Sequence, residues 1–163
     1  MITLPIKTWR EVLRGFRCLN ITKSTLPVLT HLKVVVTDER ITITGTDLDR
    51  TVTYRPPRSP DGPPAVFLVP LKDLRAALRH RKAKGTLGLE GGPEKGTFHI
   101  EEEGVPSRIP FSTMDEAEFP QAPPLGRPMG HLTAEAVRQL SPALTCASRD
   151  PAREALNVVR IEP

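Results

Sequence analysis

An internal repeat is the feature that most constrains the fold of this chain. A strand pattern followed by a helix pattern begins near residue 2, again near residue 65 and a third time near residue 128. Self-similarity at a fixed period, here about 63 residues, is the signature of a repeated supersecondary unit. The first two units each read β-α-β-β-β, and the third breaks off after its helix and one strand. The sequence therefore predicts an α+β fold with helices on one face of antiparallel sheets.

The first unit shows both hydrophobic periodicities. Residues 2–6 alternate like a short strand, and Thr8–Leu19 has apolar residues at helical spacing. That apolar stripe consists of Trp9, Val12, Leu13, Phe16 and Leu19. Alternating residues then predict three strands, at 32–37, 40–44 and 48–54. A turn held by the Asp47 side chain is expected before the last of these strands.

The second unit follows a proline-rich linker at residues 55–64. A strand is predicted at 66–69, and Pro70 suits the first turn of a helix whose apolar residues are Leu71, Leu74 and Leu78. Further strands are predicted at 86–89, 97–100 and 108–111, with glycine-rich turns at Gly91-Gly92 and Gly104. Pro110 removes a backbone donor from the last strand, which favours a position at the edge of the sheet.

These patterns predict a complete domain at 1–122, a linker at 123–127 and an incomplete second domain at 128–163. Thr133 is the expected N-cap of the third helix, and Pro142 inside that helix would kink or destabilise it. The strand after this helix is predicted at Leu156–Ile161. Because the third unit lacks its last two strands, we expect the natural chain to continue past Pro163.

Basic residues are concentrated on the two helices of the first domain. The first helix carries four of them at helical spacing, opposed by Glu11 alone: Lys7, Arg10, Arg14 and Arg17. The second shows the same spacing, opposed by Asp73 alone: Lys72, Arg75, Arg79 and Lys82. The net charge of the chain is only +4, so the sheets and linkers are acidic overall. Two helices with such basic faces favour a polyanionic partner, because lysine and arginine release counterions when they neutralise its phosphates. The alternative is that these are ordinary solvated faces without a partner.

Residues for catalysis or metal binding do not assemble in the sequence. The four histidines are scattered, and Cys18 and Cys146 lack the close spacing of a zinc site. We therefore expect no enzymatic activity, no metal and no cofactor. Two free thiols, no secretory signal and no apolar run of membrane-spanning length predict a cytoplasmic protein that does not bind membranes.

Two motifs in the first unit have a characteristic order, TLPVLTHL at Thr25–Leu32 and ITITGTDLD at Ile41–Asp49. Together they resemble the N-terminal domain of the bacterial sliding clamp, the β subunit of DNA polymerase III. Three further stretches are similar to that family, Val69–Leu74, Arg108–Pro120 and Arg153–Asn157. The resemblance spans essentially the whole chain and includes the start of the family's second domain.

The resemblance implies a non-catalytic processivity factor, an oligomeric ring that encircles duplex DNA and tethers the replicative polymerase. Its helices would line the channel and contact the phosphate backbone without reading sequence. The implied DNA-contacting residues are Arg10, Arg14, Arg17, Lys23, Lys72, Arg75, Arg79, Lys82 and Arg149. The last strand of the domain would form the subunit interface through Arg108, Ile109 and Phe111.

The chain also departs from the family pattern. It offers one domain and part of a second where the family has three, and Glu154 and Ala155 replace aromatic residues that approach DNA. The implied partners are duplex DNA and either a second copy or a full-length clamp. DNA polymerase and the clamp loader would bind only if a C-terminal part exists. The alternative is a clamp-fold interaction protein that regulates a full-length clamp without binding DNA, but such a mimic has no need of basic helix faces.

Overall fold

The computed structural model describes residues 1–19, 21, 24–56, 63–92, 94–121 and 133–147. The chain divides into two compact units, Met1–Ala122 and Pro123–Pro163. Several sequence predictions lie outside the described residues: the linker at 123–127, the strand Leu156–Ile161, Lys23 and Arg149.

The first unit contains two repeats of the same element order. The first repeat consists of β1 (Ile2–Pro5), α1 (Ile6–Gly15), a 3-10 turn (Phe16–Cys18), a second 3-10 turn (Pro27–Thr30), β2 (His31–Val36), β3 (Ile41–Thr46) and β4 (Thr51–Tyr54). The second repeat consists of β5 (Ala65–Pro70), α2 (Leu71–Leu78), β6 (Thr86–Gly91), β7 (Lys95–Glu102), β8 (Val105–Ser112) and a 3-10 turn (Glu116–Glu118). Both repeats are β-α-β-β-β, and they begin 63 residues apart, at Ile2 and Ala65. The repeat predicted for the first two units is confirmed.

The two repeats exchange their first strands. One antiparallel sheet has the order β1-β6-β7-β8 and the other the order β4-β3-β2-β5. Leu4 of the first repeat therefore pairs with Leu87 of the second, and Ala65 of the second pairs with Val36 of the first. Each sheet combines three strands of one repeat with one strand of the other.

A single core joins both sheets and both helices. Helix α1 buries Ile6, Trp9 and Val12, while α2 buries Leu71, Leu74, Ala77 and Leu78. The Trp9 indole Nε1 donates a hydrogen bond to the Leu87 carbonyl at 3.0 Å, which fixes the helix of one repeat on a strand of the other. Burial of one stripe of each helix leaves the opposite stripe to the surface.

A smaller apolar cluster lies apart from this core. It contains Val28, Leu29, Leu68 and Phe119, with Met114 packed against them. Leu68 belongs to β5, whose neighbours Phe67 and Val69 belong to the main core. Because successive residues of a strand point to opposite faces, the small cluster covers the other face of the sheet.

The second helix is shorter than the sequence pattern predicts. Its basic spacing continues to Lys82, but α2 ends at Leu78, Arg79 is extended with ψ 131° and His80 has a positive φ of 61°. The placement of Arg79 and Lys82 on this helix is therefore wrong. The apolar stripe ends at Leu78, and no apolar side chain larger than alanine follows before Gly85 to anchor another turn.

The Asp47 turn, the Gly104 turn and the edge strand follow the sequence predictions, but β4 begins at Thr51 rather than at residue 48, because Leu48 lies in the turn with a positive φ of 75°. The Asp47 Oδ1 accepts a hydrogen bond from the Arg50 amide at 2.8 Å, as expected for the turn before β4. The turn between β7 and β8 has positive φ at Glu103 and at Gly104. Strand β8, which contains Pro110, lies at the end of its sheet among the described strands.

The second compact unit is described through one helix, α3 (Ala134–Cys146). The Thr133 hydroxyl accepts a hydrogen bond from the Ala136 amide at 3.1 Å, so the predicted N-cap is confirmed. Pro142 lies inside α3, which continues past it. Within the described part of the chain, no helix is both long enough and apolar enough to cross a membrane.

Candidate nucleic-acid interface

The exposed stripe of α1 is basic. Lys7, Arg10 and Arg14 are exposed, whereas Trp9 and Val12 between them are buried. Arg17 is also exposed, but it lies on the 3-10 turn that follows the helix rather than on α1 itself. The first repeat therefore presents basic side chains on the side of the helix that faces away from the core.

The exposed stripe of α2 is shorter. Lys72 and Arg75 lie on the helix and are exposed, while Leu71 and Leu74 beside them are buried. Arg79 is exposed at the C-cap position, where the backbone has left the helix. Two basic side chains of α2, rather than the four predicted, thus match the stripe of α1.

Arg10 joins the two repeats at this surface. Its Nη2 donates a hydrogen bond to the carbonyl of Arg81, in the segment that follows α2. Arg81 adds to the basic residues at the end of the second helix pattern, but spacing alone does not show that its carbonyl would meet α1. The contact places basic residues of both repeats next to each other.

Lys82 differs from the other candidates because it is paired. Its Nζ donates to Glu103 Oε1 at 2.5 Å, and its amide donates to Glu102 Oε1 at 2.5 Å. The Arg81 guanidinium lies 3.6 Å from the other oxygen of Glu102. These carboxylates come from the end of β7 and its turn, 20 and 21 positions further along the chain. They offset the charge of Lys82, which reduces its value as a phosphate contact.

The three interface candidates on β8 have different environments. Arg108 is exposed, Ile109 is partly buried against the core, and Phe111 is buried. The Phe111 ring lies 4.4 Å from the Phe98 ring, between centroids, inside the main core. Phe111 thus packs inside its own unit, while Arg108 and Ile109 are the more accessible of the three. The assignment of these residues to a subunit interface stays a prediction.

One histidine is buried close to α2. His31 Nδ1 lies 3.1 Å from the Pro27 carbonyl and 3.2 Å from Thr30 Oγ1. Burial lowers the pKa of His31, although the hydrogen bond to Pro27 and the charge of Asp73 act in the opposite direction. In the residues that the structure describes, no group of three or more His, Cys, Asp or Glu side chains is arranged to hold a metal ion.

Neither a protein-family model nor a curated protein matches the sequence. Solved structures match it, however. The DNA polymerase III subunit β from Pseudomonas aeruginosa aligns with a TM-score of 0.75 at 20% identity, over 96% of this chain and 42% of that chain. The β subunit from the DNA polymerase of Streptococcus pyogenes aligns with a TM-score of 0.75 at 14% identity, over 94% of this chain and 41% of that one. This chain has the sliding-clamp fold.

A third match, the sliding clamp of Bartonella birtlesii bound to griselimycin, has a TM-score of 0.70 at 17% identity, over 93% of this chain and 40% of that chain. The chain thus spans about two fifths of the length of the clamps that it matches. The fold implied by the sequence motifs is confirmed, including its antiparallel sheets and few helices.

Proposed function

We propose that this chain binds duplex DNA without sequence preference, as part of a cytoplasmic sliding clamp that tethers the replicative polymerase. The observation that supports the proposal is the pair of exposed basic stripes, Lys7, Arg10 and Arg14 on α1 and Lys72 and Arg75 on α2. They occupy matched positions in two repeats of a clamp fold. The proposed role is non-catalytic and uses no cofactor.

Contacts of this kind allow sliding. Arginine and lysine side chains bind phosphate oxygens and release counterions, but they carry no information about base sequence. The free energy of binding is therefore similar at successive positions along the duplex. Arg17 and Arg79 extend the proposed DNA surface past the helix ends. Lys82 contributes less to DNA binding because Glu103 pairs with it. The roles of Lys23 and Arg149 stay predictions.

Ring assembly is proposed to use the end strand β8. Arg108 is exposed there, and Ile109 lies two residues before the buried Phe111. An unpaired sheet edge can add a strand from another chain, either a second copy or a full-length clamp. Contacts to DNA polymerase and to a clamp loader would belong to the part of the clamp fold beyond the two fifths that this chain covers.

The test compares two variants that each remove three positive charges. One carries Arg14→Ser, Lys72→Ser and Arg75→Ser on the helices, and the control carries Arg40→Ser, Arg55→Ser and Lys95→Ser, which are exposed elsewhere. Fluorescence anisotropy with a labelled duplex is measured across a salt series. With about five phosphates engaged, log K against log salt should have a slope of about −4.5 in the wild type and about −2 in the helix variant.

The control variant should keep most of the wild-type slope, and duplexes of unrelated sequence should behave alike. Equal weakening by the two variants would show that only net charge matters and would refute the helix surface. Circular dichroism of both variants verifies folding, because exposed substitutions usually change the free energy of unfolding by no more than about 0.5 kcal/mol each.

A further inference from the structure

A groove lies at the end strand β5, apart from the basic helices. It has a volume of about 1080 Å³ and runs between β5, the turn after β6 and the segment that follows β8. Its apolar lining includes Val35, Val66, Phe67 and Met114. A groove of this size and lining resembles the sites in which proteins hold small ligands or peptide side chains.

The groove continues the small apolar cluster of Leu68 and Phe119. Leu68 of β5 pairs with Lys33 of β2. Val66, two residues before Leu68 and on the same face of the sheet, pairs with Val35. Phe119 and Met114 cover Leu68, but Val66 is 41% exposed. The apolar strip on this face is therefore covered at one end and open at the other.

The side of the groove next to Gly91 is tightly packed. The Phe67 side chain lies so close to Gly91 that a Cβ at position 91 would come within 2.2 Å of the ring. Thr113 fixes the neighbouring wall, since its hydroxyl donates to the Leu68 carbonyl at 2.7 Å and its amide donates to the Glu94 carbonyl at 3.1 Å. A groove with two fixed sides is preformed, which lowers the cost of binding.

The charged residues that line the groove are all acidic among the described residues, namely Glu94, Asp115 and Glu116. This sign is opposite to that of the chain as a whole, which carries a net charge of +4. Asp115 also accepts a hydrogen bond from the Ala117 amide at 2.9 Å, which holds the acidic turn in place. An acidic rim beside an exposed valine complements a partner with apolar and basic side chains and repels DNA.

Strand β5 adds a backbone edge to this surface. Among the described strands it pairs with β2 alone and ends its sheet. The Leu68 carbonyl is already bound by Thr113, so the edge that remains for a partner lies before it, at residues 65–67. An extended peptide can bind beside such an edge and place alternate side chains into the groove and over its rim. We propose that this groove binds a short extended peptide segment in which apolar residues alternate with lysine or arginine. The proposal is independent of DNA binding.

The probe is a labelled hexapeptide of alternating lysine and leucine, with a hexapeptide of alternating glutamate and leucine as its counterpart. The full chain carries either Glu94→Lys with Glu116→Lys, or the control pair Asp49→Lys with Glu101→Lys, which are exposed elsewhere and change the net charge equally. Reversal of both rim charges should weaken binding of the lysine peptide about tenfold. A third variant, Val66→Ser, should weaken it with no change in charge.

Affinities come from fluorescence anisotropy, and amide shifts in ¹H–¹⁵N spectra of the wild type locate the peptide. Support consists of a rim-specific loss together with shifts at Ala65, Val66 and Gly92. Equal losses in the two double variants, shifts confined to other surfaces, equal binding of the glutamate peptide or no binding at all would each overturn the proposal. Concentration-dependent sedimentation that is lost in Val66→Ser would assign the groove to a second copy instead and would also overturn it.

Discussion

The ends of the two helices differ although the two repeats have the same topology. At the C-cap of α1 stands Phe16, which is fully buried, and a 3-10 turn continues the chain. At the C-cap of α2 stands Arg79, which is exposed, and the backbone becomes extended at once. The spacing of the basic residues is identical in both helices. The buried apolar residue Phe16, rather than the charge pattern, therefore decides how the chain continues after the helix.

The difference also changes the charge of the two ends. After α1, the Cys18 carbonyl accepts a hydrogen bond from Arg50 Nη1 at 3.1 Å, which adds a cation to that end. After α2, Glu102 and Glu103 bind the segment that contains Arg81 and Lys82. The first repeat thus presents a more basic surface than the second, and the proposed DNA contacts are unequal between them.

The largest expected effect concerns the two C-cap residues. Phe16→Ala should lower the free energy of unfolding by about 4 kcal/mol, because it leaves a cavity in the core, where the ring lies against Gly45. Arg79→Ala, at the same position of the other helix, should change it by about 0.5 kcal/mol or less. Urea unfolding measures both. Similar losses in the two variants would show that the helix ends are held in the same way.

A smaller effect is expected from the release of Lys82. Glu103→Gln removes an ion pair whose side chains are 65% and 68% exposed, so the free energy of unfolding should fall by less than about 1 kcal/mol. The freed lysine should make the salt slope of DNA binding steeper by up to about 1. Glu101→Gln, an exposed position on the same hairpin, removes the same charge and is the control. If both variants steepen the slope equally, Lys82 plays no particular part.

The smallest expected effect is on the pH dependence of stability. It distinguishes β2, the strand that follows α1, from β6, the strand that follows α2. Strand β2 begins with the buried His31, whereas β6 begins with Thr86. Burial lowers the pKa of His31 below its usual 6.5. As the pH falls, this histidine is therefore protonated more readily in the unfolded chain than in the folded one, and stability should decrease below about pH 6.5. His31→Gln should reduce this loss in urea unfolding between about pH 7.5 and about pH 5.5.

The control for this titration is His80→Gln, which changes an exposed histidine in the second repeat. It should keep the pH dependence of the wild type. A loss of that dependence in His80→Gln, or its persistence in His31→Gln, would contradict the assignment to the first repeat.

Local patterns predicted most of the element order in the first unit, because alternation and helical spacing are properties of neighbouring residues. The exchange of β1 and β5 was not predicted, since which strands pair depends on distant packing. The end of α2 was predicted too late because Arg75, Arg79 and Lys82 keep a helical spacing with no apolar residue to support it. Spacing also did not predict the ion pairs to Glu102 and Glu103 or the burial of Phe111. The partners of these residues lie far along the chain or across the sheet, where local patterns carry no information.

The exchange of first strands has a consequence for how the domain is made. As the chain leaves the ribosome, Ile2–Pro5 has no partner until Thr86–Gly91 has been synthesised. Contacts between residues so distant in sequence form slowly, because the chain must lose the entropy of closing a long loop before the contacts stabilise it. Neither repeat can therefore complete its sheet alone, and the two should acquire their structure together, in one cooperative step, once most of the domain has emerged.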